Sequence, residues 1–161
     1  MTDQVTIGTA IVQNETETAD LAARLAAFLK IGDIITLNGT LGAGKTAFAR
    51  TLIRALTGAD IDVPSPTFNL LLTYDTPSGA VFHYDFYRLE DPEEVWELDI
   101  EDAYEEGITL IEWVEKLEDL APENILDIRI TLPDGAVDPS VRHISLAGNS
   151  DWAVRLKDLS L

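Results

Sequence analysis

The sequence predicts an α/β fold with three layers, built on a mixed but mostly parallel central sheet that carries an inserted hairpin. Three observations point there. Short apolar runs at residues 34–37 and 108–112 read as buried strands, and segments of helical spacing lie between them. A glycine-rich loop at residues 39–46 joins the first run to a helix. Asp75-Thr76-Pro77-Ser78-Gly79 has turn chemistry between two strand-like segments.

Each element has its own signal. Residues 5–12 alternate loosely, as a short strand does. Asn14 then precedes Glu15-Thr16-Glu17, an N-cap with a glutamate at the capping-box position. Leu21, Leu25, Phe28 and Leu29 continue at helical spacing until Gly32. After the glycine-rich loop, Phe48, Leu52, Ile53 and Leu56 mark a second helix that Gly58 ends. Two prolines keep residues 62–67 out of helix and central strand. Residues 68–74 and 80–85 form the hairpin. Asp91 and Pro92 open a further helix, with Val95, Leu98 and Trp96 as its inward positions. Residues 125–132 and 141–146 read as strands around Pro133-Asp134-Gly135, and residues 151–159 as a closing helix. No repeat, low-complexity tract or long linker divides residues 1–161, so one domain is expected.

Composition excludes several chemistries. The chain has 161 residues and no cysteine, which removes disulfides, thiolate nucleophiles and zinc–thiolate sites. Its two histidines, His83 and His143, are too far apart in sequence to suggest a multi-histidine metal site. His83 reads as a strand residue, and His143 is given no role. No apolar run reaches membrane-spanning length, and Met1-Thr2-Asp3-Gln4 lacks a signal-peptide pattern, so a cytoplasmic protein is expected.

The net charge of −18 is concentrated in one region. Residues 75–127 hold 18 acids against Arg88 and Lys116, whereas the flanking segments are nearly balanced. Such a field repels phosphate backbones and attracts basic partners or cations, which disfavours direct nucleic-acid binding.

Gly39-Thr40-Leu41-Gly42-Ala43-Gly44-Lys45-Thr46 satisfies the P-loop pattern. Ordinary residue usage would produce that pattern in only about 0.5% of chains this long. Its place between a buried strand and a helix is what the motif requires, and it makes the predicted fold P-loop NTPase-type. Glycines let backbone N–H groups converge on a phosphate, and the helix N-terminus adds positive potential. Lys45 reaches the β- and γ-phosphates, and the Thr46 hydroxyl ligates the magnesium that accompanies the nucleotide. A carboxylate must face the loop. Asp85 and Glu112 both end strands, and spacing alone leaves both open, with Glu112 on the more typical apolar strand. Ser65-Pro66-Thr67 stands where switch loops sense the γ-phosphate, although a rigid proline-rich connection would look the same. Tyr84, Phe86, Tyr87, Trp96 and Trp113 read as core or edge aromatics.

Missing features narrow the class. No asparagine precedes a lysine, so the guanine-reading motif of small GTPases is absent. Of seven arginines only Arg88 lies in the middle third, which argues against the arginine-rich lid of a kinase. No Gly-x-Ser-x-Gly elbow occurs.

Four blocks together are more specific than the P-loop: Leu41-Gly42-Ala43-Gly44-Lys45-Thr46, Ser65-Pro66-Thr67-Phe68, His83-Tyr84-Asp85-Phe86-Tyr87-Arg88-Leu89 and Ile111-Glu112-Trp113. In order and spacing they resemble the bacterial TsaE family, the ATPase components of tRNA threonylcarbamoyladenosine (t6A) biosynthesis, over roughly residues 14–120. The resemblance implies slow, magnesium-dependent ATP hydrolysis in support of t6A formation at tRNA position 37. It implies TsaD and TsaB as partners, with tRNA met only through the complex. It also implies roles for residues. Gly42, Ala43, Gly44, Lys45, Thr46 and Ala47 match the phosphate-binding stretch, which adds to Gly39 of the P-loop pattern. Thr46 and Glu112 match the magnesium positions. Asp85 matches an aspartate essential for hydrolysis, placed to hold water or the metal. Thr67 matches the switch-like loop, Trp113 a tryptophan beside the site, and residues 14–16 a segment near the base. Thr40 departs from a common aspartate, and Ala47 from a common threonine. Residues beyond about 120 carry no family block, so Arg129 and Arg142 have no expected role. A small-molecule P-loop kinase and a nucleotide-gated binding module that barely hydrolyses are the other readings.

Overall fold

Strand and helix alternate from the start of the chain in the computed structural model, which describes residues 4–40, 42–135 and 138–161. The elements are β1 (Val5–Val12), α1 (Glu15–Ala26), β2 (Ile34–Asn38), α2 (Lys45–Thr57), β3 (Leu71–Thr76), β4 (Gly79–Asp85), α3 (Ile100–Glu106), β5 (Gly107–Glu112), β6 (Leu126–Thr131), β7 (Arg142–Gly148) and α4 (Ser150–Arg155). Two 3-10 turns, Pro92–Glu97 and Val114–Leu120, complete the described structure. Met1, Thr2 and Asp3, read above as free of a leader pattern, and Leu41 of the loop lie outside the described residues.

The strands form one sheet in the order β1-β7-β6-β2-β5-β4-β3. β4, β5, β2 and β6 pair in parallel, whereas β7 and β3 run against them and β1 turns back to the common direction. The inserted hairpin is β3–β4, with Thr76 opposite Gly79.

Both faces of the sheet are covered, which accounts for the all-buried β5. One face takes Ile35, Leu37, Leu110 and Ile128 against Leu21 and Leu25 of α1 and against Phe48, Leu52 and Ile53 of α2. The other takes Tyr84 and Ile111 against Ile100 and Ala103 of α3 and against Val95 and Leu117 of the 3-10 turns. Burial of each large side chain on α2 is worth about 1.5–3 kcal/mol. The helix that begins at Lys45 is therefore firmly seated.

Several boundaries differ from the sequence reading, each for a local reason. α1 stops at Ala26, short of Phe28 and Leu29. The chain tightens there, and the Asp33 carboxylate captures the Lys30 N–H at 2.7 Å. β3 begins at Leu71 because Leu70 adopts φ 66° and its N–H closes a turn onto the Pro66 carbonyl. Phe68, read as the first strand residue, is 79% exposed. The helix opened by Asp91 and Pro92 breaks in two at Asp99, which adopts φ 57°. Val95 faces inward as expected, but Trp96 is 51% exposed and is not a core residue. The last helix covers only Ser150–Arg155, capped by Asn149.

Candidate active site

Register alone brings the two candidate carboxylates together. β4 and β5 run in parallel with Asp85 opposite Glu112, and β2 sets Leu37 opposite Glu112. Asp85, Glu112 and the loop that follows β2 therefore meet at the carboxyl ends of parallel strands, the usual location of ligands in such sheets. The Phe86 N–H donates to the Glu112 carbonyl at 3.1 Å and ties the strand ends together.

The loop needs its glycines. Gly39 sits at φ 153°, and a Cβ there would stand 2.4 Å from the Ile130 carbonyl oxygen. Gly44 caps α2 in a left-handed conformation, φ 109°, with no side chain over the helix N-terminus. The first N–H groups of a 13-residue helix are left facing the cleft, where its dipole favours anions.

Around that cleft Lys45, Thr46, Thr67, Asp85 and Glu112 all have hydrogen-bond partners. The Lys45 ammonium donates to the Gly39 carbonyl at 2.7 Å and lies 3.5 Å from the centre of the Trp113 ring. Burial pulls its pKa below the ordinary lysine value, against the opposing pull of Glu112, Glu115 and Asp85. Trp113 reaches the lysine because it leaves β5 at φ 62° and packs against Tyr87, with ring centres 5.0 Å apart and planes tilted by 50°. The Thr46 hydroxyl donates to Glu112 Oε1 at 2.8 Å. Asp85 accepts from the Thr67 hydroxyl at 2.8 Å and from the Tyr87 N–H at 2.9 Å. Ser65 Oγ is 2.6 Å from Thr67 Oγ1. Since the single hydroxyl hydrogen of Thr67 goes to Asp85, Ser65 is the donor to Thr67. The chain of hydrogen bonds thus runs from the loop at residues 65–67 into the Asp85 carboxylate.

Two adjoining cavities flank the loop and share Gly44 and Ala47. The smaller, about 310 Å³, is lined by Gly42, Lys45, Thr46, Thr67, Asp85 and Glu112 among others. The larger, about 410 Å³, is lined by Asn14, Thr18, Arg50, Arg54, Ser140 and Arg142 among others. The site residues read from the sequence thus fall around the smaller cavity, with Gly39 and Trp113 reached through Lys45, while Ala43 faces the larger one. Residues 14 and 15 also border the larger cavity, on the side away from Asp85.

A magnesium ion fits this donor set. The Thr46 hydroxyl and Glu112 carboxylate are hard oxygens already side by side, and magnesium takes one or two such ligands plus phosphates and water. No group of three or more His, Cys, Asp or Glu side chains among the described residues could hold a metal.

Two participants escaped the sequence reading. His83 is a strand residue, as read, but its Nε2 lies 2.7 Å from Glu112 Oε2. Its position two residues before Asp85, on the same face of β4, was the available signal. Arg142 donates from Nε to the Ala43 carbonyl at 2.8 Å and so braces the P-loop from β7. Nothing in the spacing of residues 43 and 142 could have joined them.

Comparison with known proteins agrees with this architecture. The family model for "Threonylcarbamoyl adenosine biosynthesis protein TsaE" matches residues 12–138. A tRNA threonylcarbamoyladenosine biosynthesis protein TsaE from Rickettsia bellii is 44% identical over 124 residues, 77% of this chain and 86% of the relative. The protein of the same name from Bacillus subtilis is 40% identical over 117 residues, 73% of each chain. The crystal structure of Bacillus subtilis YdiB superposes with a TM-score of 0.73 at 28% identity, covering 99% of this chain and 95% of that one. Sequence match and shared fold agree over most of the chain, which belongs to the TsaE family.

Proposed function

We propose that this protein is a magnesium-dependent ATPase that serves tRNA t6A biosynthesis together with TsaD and TsaB. One observation carries the reading: Lys45 and Thr46, Asp85, and Glu112, from three separate stretches of a family-typical chain, line one cleft at a helix N-terminus. Thr46 and Glu112 would hold magnesium, which would supply positive charge against the charge that develops during phosphoryl transfer. Lys45 exchanges the Gly39 carbonyl and the Trp113 face for β- and γ-phosphate oxygens. Asp85, fixed by Thr67 and the Tyr87 N–H, accepts a hydrogen bond from the attacking water and orients it. Thr67 couples that carboxylate to the loop at residues 65–67, which gives the loop a way to sense the γ-phosphate. The larger cavity takes the nucleoside, with Arg142 beside the loop.

Among the described residues no arginine lines the smaller cavity, and Arg88 rests 4.3 Å over the Phe68 ring. Hydrolysis by the protein alone is therefore slow, since an inserted arginine is worth about 10³ to 10⁵ in rate. The partner complex supplies or repositions what is missing. It docks on the acidic middle third, so tRNA is met only through it.

The test is ATP turnover with magnesium, with and without purified TsaD–TsaB. Slow turnover that changes strongly with the partners is expected. Turnover indifferent to them would remove the pathway, and γ-phosphate transfer to a small acceptor would make the protein a kinase.

A further inference from the structure

We propose that His83 is the positioning residue of Glu112 and sets how strongly the site couples a divalent cation to its nucleotide. The proposal rests on the magnesium–nucleotide reading above and assigns to it a residue that touches neither ligand. His83 is fully buried, and its Nε2 stands 2.7 Å from Glu112 Oε2. A carboxylate oxygen accepts, so Nε2 carries the hydrogen. The other carboxylate oxygen, Oε1, accepts from Thr46 at 2.8 Å. With both oxygens held, the carboxylate cannot rotate about its last bond, and Oε1 stays on the nucleotide side.

The surroundings argue that the ring is there for this single contact. Val81, two residues earlier on β4, and Ile108 and Leu110 of β5 are fully buried apolar neighbours on the same face of the sheet. A leucine or phenylalanine would fill such a place. The histidine instead leaves Nδ1 buried without a partner among the described residues, so half of its hydrogen-bonding capacity is unmet. Packing does not call for an imidazole here, whereas orientation of Glu112 does. Groups that orient a metal's ligands typically change metal affinity about 10- to 100-fold when removed.

The experiment is calorimetric titration of the whole chain with ADP, in magnesium and in EDTA. The wild type is expected to bind ADP more tightly with magnesium. His83→Phe is expected to shrink that metal-dependent gain about tenfold, with binding in EDTA unchanged, and His83→Gln, whose amide nitrogen can replace Nε2–H, to stay within about threefold of wild type. An unchanged gain in His83→Phe, or no recovery in His83→Gln, overturns the proposal. A wild type whose ADP affinity ignores magnesium instead overturns the site reading on which it rests. If His83→Phe does not fold, the wild type still decides. With only two histidines, ¹⁵N-histidine labelling resolves the His83 Nε2–H signal, which must shift when magnesium joins the ADP complex. A signal that ignores magnesium overturns the proposal.

Discussion

The two cavities that share Gly44 and Ala47 are built in opposite ways. The smaller draws on motif residues and on strand ends set in register, and Lys45 and two carboxylates line it together. The larger draws on residues 14–18, 43–54, 130 and 139–144 and carries three arginines, Arg50, Arg54 and Arg142. Those arginines are largely occupied. Arg50 donates to the Val63 carbonyl, Arg54 donates to the Ile61 carbonyl and lies 3.4 Å from the Asp60 carboxylate, and Arg142 donates to the Ala43 carbonyl. In the smaller cavity charged groups face the space where chemistry would occur. In the larger they brace backbone and give the cavity its shape.

That contrast breaks most visibly at the acids and the lysine. Lys45→Ala and Asp85→Ala should each lower kcat by about 100- to 1,000-fold with partners present, the usual loss when a charge-stabilising group leaves a water-poor site. Steady-state hydrolysis measures it, and turnover near wild type would dismiss the division of labour between the cavities. Arg142→Ala should act on the other side of the divide. Loss of its bond to Ala43 removes about 1.5–3 kcal/mol of charge-assisted contact from the loop, so nucleotide affinity should fall roughly tenfold while kcat at saturation stays close to wild type. A fall in kcat with unchanged affinity would assign Arg142 to the chemistry instead. The smallest expected effect lies outside both cavities. Affinity for TsaD–TsaB should weaken a few-fold between low and physiological salt, because the charges of residues 75–127 are screened over about 8–10 Å. A salt-independent complex would leave the acidic third without a docking role.

The same contrast explains how much the sequence could reveal. The P-loop was legible because its chemistry demands glycine, lysine and threonine at fixed offsets next to a strand and a helix. Asp85 and Glu112 were legible as strand-end acids, yet their meeting depends on β4 lying beside β5 in register, which no local pattern encodes. The Trp113–Lys45 stack depends on a left-handed backbone at a tryptophan, an unfavourable choice that residue preferences alone would not suggest. Trp96 was misread because helical spacing assumed a continuous helix, and Asp99 breaks it. The P-loop brace from Arg142 and most of the larger cavity join parts of the chain about a hundred residues apart, and only the assembled sheet reveals them.

The pairing of β4 with β5 also divides the hairpin into a tolerant and an intolerant half. Side chains on a strand alternate between faces, so one residue added or deleted between Gly79 and Asp85 would send the Asp85 carboxylate to the α3 side of the sheet. Pro77 and Ser78, exposed at the tip, carry no such constraint. Length variation among related chains should collect at that tip and be absent from the strand below it. The tip is also where a fluorescent or affinity tag can be spliced into the chain while the Asp85 carboxylate stays in phase.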